Sequence, residues 1–385
     1  MAGKYGLGET DITNISANEP IIPLTDFNFP NTFVPGINGV LLNRFLSKRI
    51  NCPPEVEEQN KREKMNTPKL GLALGSGSAR GWSHIGIIRG LAEMGIKPDI
   101  VCGCSAGALV GGIYAAGYMD ELETWAKKLD WKEVFSLFDI RLTGGGVIVG
   151  DRLINFFKNY VGDQTTIESL PLPYASVATV LETGREVWLK EGLLLDAIRA
   201  SMSFPGIMEP VFMGSKWLID GGLVNPVPVS ICRAMGADII IAVNLNSDIV
   251  GRHFEDTHDP DEKDGTSMDE ESSHSFGSKV QTRIRHGFES FISQIGSGSK
   301  KNKTPGLFEV IAGTVNIMQD RITRSRMAGD PPDIILEPRL RHLGLLEFYR
   351  AQEAIDEGFK CISRMKESIN HLIIPKLKKE KGDIK

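Results

Sequence analysis

Apolar and polar positions change rhythm several times along the 385 residues. An apolar run, Leu70-Gly71-Leu72-Ala73-Leu74, leads into a glycine loop, a helix-like stretch over 84–94 and a second apolar run over 99–104. Strand, helix, strand in that order implies a parallel sheet. The small residues of 106–116 predict a helix packed closely on that sheet, and 120–129 predicts another that ends near Asp130. Further strands are predicted over 175–181, 186–189 and 238–245, with a helix over 193–201 that Pro205 and Gly206 break. Helical periodicity returns over 307–327 and 345–374, and no internal repeat is present.

These changes of texture divide the chain. Residues 1–67, rich in Pro, Asn and Glu, read as a partly disordered N-terminal arm or linker. Residues 68–250 form the α/β unit. Within 251–305, Glu255, Asp256, Asp259, Asp261, Glu262, Asp264, Asp269, Glu270 and Glu271 crowd a Ser/Gly-rich stretch without periodicity, which reads as an acidic low-complexity insertion. A helical C-terminal region, 306–375, and a basic tail, 376–385, complete the chain.

Composition narrows the class. Hydrophobic residues at 41% and charged residues at 24% fit a globular protein rather than a disordered or fibrous one. The net charge of −5 leaves no general basic surface for a nucleic-acid backbone. Cys52, Cys102, Cys104, Cys232 and Cys361 are odd in number and lack disulfide or zinc spacing, so a reducing, cytoplasmic setting is expected. Neither a signal peptide nor an apolar window of about 18 residues is seen, so any membrane contact is expected to be peripheral.

Gly103-Cys104-Ser105-Ala106-Gly107 has the Gly-x-Ser-x-Gly form of a nucleophile elbow and lies between a predicted strand and a predicted helix, where that chemistry requires it. The glycines permit the sharp turn, and the following helix N-terminus favours a developing oxyanion. A tight turn with an ordinary serine has the same spelling. Gly75-Ser76-Gly77-Ser78-Ala79-Arg80-Gly81 also follows a strand, and its amides can form a nest for an anion. A dinucleotide site would spell Gly-x-Gly-x-x-Gly and put an acid at the end of the second strand, where this chain has Cys104-Ser105. Loops after neighbouring parallel strands share the carboxyl edge, so an oxyanion hole beside the serine is the simpler interpretation.

A histidine base in the Ser, Asp, His order is not found: His253, His258, His274 and His286 fall in or beside the insertion, and His342 and His371 in the C-terminal region. His84 reads as a packing or capping residue. Asp220, in Trp217-Leu218-Ile219-Asp220-Gly221-Gly222, is the better base, because an apolar strand delivers its carboxylate and a dry site would raise its basicity. An ordinary Asp-Gly turn is the alternative.

Over residues 69–246 the chain resembles the bacterial patatin-like phospholipases, relatives of plant patatins and neuropathy target esterase. The resemblance rests on the glycine loop, the elbow, Ala200-Ser201-Met202-Ser203-Phe204-Pro205-Gly206 and Asp220-Gly221-Gly222, in that order. It implies an α/β fold, a parallel-sheet core with helices on both faces, plus a helical C-terminal extension. It further implies that Ser105 and Asp220 are a catalytic Ser-Asp dyad and that the Gly77 and Ser78 amides form the oxyanion hole. Gly75, Arg80, Gly81, Gly103, Gly107, Gly221 and Gly222 would support these motifs. Ser78 stands where many relatives have a third glycine.

The expected activity is hydrolysis of carboxylic esters of phospholipids or lysophospholipids through an acyl-enzyme, without metal or other cofactor. An acyltransferase using the same dyad and a non-catalytic regulatory or scaffold protein are the rivals. Arg321, Arg324 and Arg326 with Lys376, Lys378, Lys379 and Lys381 could meet an anionic membrane or form a solvated helix face. Cys102 and Cys104 share one face of a strand, which suggests packing.

Overall fold

A computed structural model describes residues 68–137, 150–248 and 307–378. The arm over 1–67, the insertion over 251–305, Lys379, Lys381, Cys52 and the histidines at 253, 258, 274 and 286 lie outside the described residues.

The elements are β1 (Leu70–Leu74), α1 (Ser83–Glu93), β2 (Ile100–Cys104), α2 (Ala106–Ala115), α3 (Met119–Lys128), α4 (Trp131–Leu137) and α5 (Asp151–Val161). They continue with β3 (Tyr174–Val180), β4 (Glu186–Leu189), α6 (Leu194–Ser201), β5 (Val211–Met213), β6 (Lys216–Asp220), α7 (Val229–Ala234) and β7 (Ile239–Val243). The C-terminal region supplies α8 (Leu307–Gly329), β8 (Ile334–Leu336), α9 (Ala351–Leu372) and α10 (Ile374–Lys378).

Strands β1, β2, β3 and β7 are buried along their whole length, which is why they read as continuous apolar runs rather than alternating ones. β3, β2, β1, β7 and β8 pair in parallel. β4, β5 and β6 make the other end of the sheet antiparallel, so the sheet is mixed. The main core packs α1, α2, α6 and α9 on one face. The other face is covered more thinly by α7, whose Ile231 and Cys232 meet Ala73, Cys102, Cys104 and Val177. The paired cysteines of β2 are therefore packing residues on a shared face, and burial pushes both thiols up.

Besides its helices, the C-terminal region carries β8, the edge strand beside β7. Only Ile334 and Leu336 of that strand are buried, too short a run for any periodicity to register. α9 lies against α1 at almost backbone contact. A Cβ on Gly86 would stand 2.0 Å from the Ile355 carbonyl oxygen, and one on Gly358 would stand 2.2 Å from that of Ser83.

Candidate active site

β2 ends at Cys104, and Ser105 turns the chain straight into α2 with φ 54 and ψ −118. A side chain held at positive φ costs on the order of 1–3 kcal/mol, so the surroundings must fix it. The Ser105 N–H donates to Ser201 Oγ at 3.0 Å, and its carbonyl accepts the N–H groups of Ala108 and Leu109. The flanking glycines are required by contact: a Cβ on Gly103 would lie 2.3 Å from the Gly107 carbonyl oxygen, and one on Gly107 would lie 2.1 Å from that of Leu74.

Strand pairing explains how Asp220 arrives. Val177 of β3 pairs with Cys104 on one side and Trp188 on the other, while the next residue, Ala178, pairs with Val187 and Asp220. A strand has two edges, and β4 occupies one of them from Ser176 to Thr179, alongside both the end of β2 and the start of the β6 pairing. β6 must therefore take the edge that β2 has just vacated, running antiparallel and head-on towards the end of β2. Ser105 and Asp220 meet at that junction, with Ser105 Oγ donating to Asp220 Oδ2 at 2.6 Å.

The second carboxylate oxygen, Oδ1, accepts the Gly222 N–H at 2.7 Å. Backbone bonds from the Asp220 N–H to the Ser203 carbonyl (2.9 Å) and from Thr179 Oγ1 to the Asp220 carbonyl (2.8 Å) fix its main chain. Gly221 is pressed on the Val177 carbonyl, which a Cβ would approach to 2.2 Å. Asp220 is only 1% exposed. Burial raises its pKa to about 6, against the opposing hydrogen bonds from Ser105 and Gly222.

The glycine loop faces this pair. Gly75 N–H donates to Val243, Ser76 to Pro226, Ala79 to Leu345 and Arg80 to Gly77, each to a carbonyl oxygen. Among the described residues the Gly77 and Ser78 amides donate no hydrogen bond, and both residues line the pocket that holds Ser105. Gly81 abuts the start of α2, where a Cβ would come within 2.3 Å of Ala106 Cβ. Arg80 is buried, and its Nε donates to the Gly77 carbonyl at 3.2 Å. Ser78 has φ 51 and donates its Oγ to the Leu345 carbonyl at 2.6 Å. The left-handed backbone explains why glycine suits this position.

His84 is fully buried, with Nε2 2.8 Å from the Gly75 carbonyl oxygen. Burial lowers its pKa to about 4 against that backbone bond, so it stays neutral and props the loop. His342 pairs with Glu353 at the surface. None of the described histidines lines the pocket. The walls are largely apolar, with Trp82, Leu109, Trp125, Leu153, Met208 and Phe348 among them. Among the described residues no group of three or more His, Cys, Asp or Glu side chains is arranged to hold a metal ion.

Three supports were not foreseen in the sequence. Gln319 of α8 is buried, and its Oε1 accepts from Ser76 Oγ and Asn246 Nδ2, each at 2.9 Å. It lies four residues after Val315 and four before Thr323, both also buried, so a polar residue on an inward stripe was the available signal. The loop after β8 supplies Leu345, which accepts from both Ser78 and Ala79, and Phe348, whose carbonyl accepts Trp82 Nε1–H at 3.1 Å. Ser201, from the Ser/Pro-rich block, holds the elbow amide. Of the candidate basic groups, Arg324 pairs with Asp320, Arg326 with Glu186 and Lys376 with Asp333.

Comparison with known proteins agrees with this architecture. The family described as "Patatin-like phospholipase" matches residues 72–233. An "Uncharacterized NTE family protein" of Mycobacterium tuberculosis is 32% identical over 324 residues, 76% of this chain and 90% of the relative. "Lysophospholipase NTE1" of Pyricularia oryzae is 28% identical over 301 residues, 76% of this chain and 18% of that protein. VipD from Legionella pneumophila superposes with a TM-score of 0.38 at 13% identity, covering 78% of this chain and 67% of that one, too loosely to bear on the fold. The chain belongs to the patatin-like phospholipases, within the NTE family.

Proposed function

We propose that this protein is a serine acyl hydrolase that cleaves carboxylic esters of phospholipids or lysophospholipids through a Ser105–Asp220 dyad. The observation that carries the reading is the 2.6 Å hydrogen bond from Ser105 Oγ to a buried carboxylate, in a pocket that none of the described histidines lines. A carboxylate with a pKa of about 6 is ionised at neutral pH yet basic enough to take the hydroxyl proton during attack. Ser105 Oγ then bonds to the ester carbonyl carbon while its proton passes to Asp220 Oδ2. The oxyanion is received by the Gly77 and Ser78 amides. Collapse of the tetrahedral intermediate expels the alcohol, which takes the proton from Asp220. Water, deprotonated by the same carboxylate, releases the fatty acid from the acyl-enzyme. The apolar walls suit an acyl chain, and the names of the relatives support a lipid ester.

A fluorophosphonate probe tests this directly. It should label the purified chain and fail to label Ser105→Ala. Equal labelling of Ser105→Ala would move the nucleophile to another serine of the pocket, such as Ser76 or Ser78.

A further inference from the structure

α8 brings two side-chain amides to the pocket that holds Ser105, and each is tied to the protein by its oxygen alone. Asn316 and Gln319 stand three residues apart, on one face of the helix, and both line the pocket. Gln319 Oε1 accepts from Ser76 Oγ and Asn246 Nδ2, which occupies both of its lone pairs. Asn316 Oδ1 accepts a long bond of 3.5 Å from Arg80 Nη2. Among the described residues neither Gln319 Nε2 nor Asn316 Nδ2 donates a hydrogen bond.

The free end of Gln319 lies beside the dyad. A Cβ on Gly222 would stand 2.3 Å from Gln319 Nε2 and 3.0 Å from Asp220 Oδ1, so the amide nitrogen and the carboxylate flank the same point. Turning the amide over would set its NH2 against the Asn246 NH2 and its oxygen towards the carboxylate, two repulsions in place of two attractions. In the proposed reaction the departing alcohol takes its proton from Asp220, so that half of the substrate must lie beside this carboxylate. The acyl half is served by a different surface: Leu109, Trp125 and Leu153, from α2, α3 and α5, supply an apolar wall.

A wall of N–H groups selects for oxygen acceptors, and the charge around it decides which kind. Among the described residues no charged side chain lines the pocket. A phosphate moved there would lose its hydration with no cation to replace it and would be repelled by ionised Asp220. A neutral oxygen carries neither cost. We propose that Gln319 and Asn316 form the alcohol-side subsite of this protein, and that they read the glycerol oxygen vicinal to the scissile ester, as a free hydroxyl or as the carbonyl of a second ester. The phosphate and its substituent stay outside the pocket. This inference rests on the lipid-ester reading and adds which part of the lipid is recognised: glycerol esters as a class, whatever their headgroup.

Trp82 and Trp125 line the pocket, so their fluorescence reports its occupancy. The full chain is titrated with uncleavable ethers: 1-O-octylglycerol, octyl propyl ether, which is the same skeleton without the hydroxyls, and the phosphocholine derivative of 1-O-octylglycerol. Gln319→Met keeps the side-chain length and removes the donor. It should shift the ratio of Kd values for the first two ligands by roughly tenfold against the glycerol ether, the size expected for one hydrogen bond. Asn316→Leu, at a half-buried position with one long bond to lose, should shift the ratio the same way by less, and it decides the matter if Gln319→Met does not fold. An unchanged ratio in the folded variants would overturn the proposal, because a role confined to bracing Ser76 and Asn246 weakens both ethers alike. So would a loss confined to the phosphocholine derivative, which would put the phosphate on the amides. Fluorophosphonate labelling of the unsubstituted chain separates the two readings. Labelling with an unchanged ratio rejects the subsite alone, and a shifted ratio without labelling rejects the hydrolase alone.

Discussion

Two serines of this site share an unusual backbone and differ in everything else. Ser105 and Ser78 sit at φ 54 and φ 51, each just past the carboxyl end of a central strand. The Ser105 hydroxyl donates to a buried carboxylate, and the Ser78 hydroxyl to the carbonyl of Leu345. A carbonyl can accept a hydrogen bond but cannot keep a proton at neutral pH, whereas a carboxylate with a raised pKa can. Similar backbone at two positions therefore carries different meanings: at 105 it holds a hydroxyl against a carboxylate, which the proposed mechanism uses as a base, and at 78 it holds a hydroxyl against a backbone carbonyl, which only braces the loop.

The sharpest way to break this contrast is at the dyad. Ser105→Ala should lower ester hydrolysis by roughly 10⁴-fold or more, and Asp220→Asn by roughly 10³-fold or more, because residues acting as one unit fail together. The double variant should be little worse than either single one. Independent, multiplying losses in steady-state rates would show that the two do not act jointly.

On the loop, Gly77→Val should cost about 2 to 4 kcal/mol of transition-state stabilisation. The extended φ of 172 admits a side chain, but its Cβ would meet Leu245 at 2.6 Å and displace the amide. Wild-type kcat/KM from this variant would remove the loop from the chemistry.

Acid should have a graded effect. Asp220 must be ionised to act, so kcat/KM should fall tenfold per pH unit below its pKa of about 6. The same shift acts on stability with the opposite sign. A carboxyl whose pKa is raised by folding binds protons more tightly in the native state, so stability falls as pH rises from about 4 to 6. Above that window the buried charge costs about 3 kcal/mol at 1.36 kcal/mol per pKa unit. Asp220→Asn should accordingly gain stability over wild type as pH rises through that window, and parallel denaturation curves at pH 4 and pH 7 would contradict it.

The smallest effect is expected at Ser78→Gly. It relieves the left-handed backbone and loses one hydrogen bond, terms of about 1 kcal/mol each and opposite in sign. Activity should persist and the melting temperature should move by only a few degrees. If this variant were as inactive as Ser105→Ala, the two serines would not differ as argued.

Much of this contrast was legible before any coordinates. β1, the glycine loop, α1, β2 and the elbow are consecutive in the chain, and Gly81, Gly103 and Gly107 are dictated by contacts among them, whereas Gly77 and Gly86 answer to the distant Leu245 and Ile355. Asp220 was legible as a carboxylate at a strand end, but its meeting with Ser105 depends on β6 taking over one edge of β3, a non-local pairing that no periodicity encodes. β8 was too short to register. Gln319 and Leu345 act through a side-chain amide and a backbone carbonyl, and a carbonyl belongs to every residue and marks none.

The bond from Ser78 Oγ to Leu345 joins positions 267 residues apart, and α9 is packed almost backbone to backbone on α1. The ribosome finishes the elbow long before it makes the segment that braces the loop opposite. A nascent chain ending after β7 holds Ser105 and Asp220 but lacks Gln319, Leu345, Phe348 and the helix that seats α1. Synthesis order thus acts as a timer: the complete constellation exists only once the chain is through α9, so the loop cannot be braced on a half-made polypeptide.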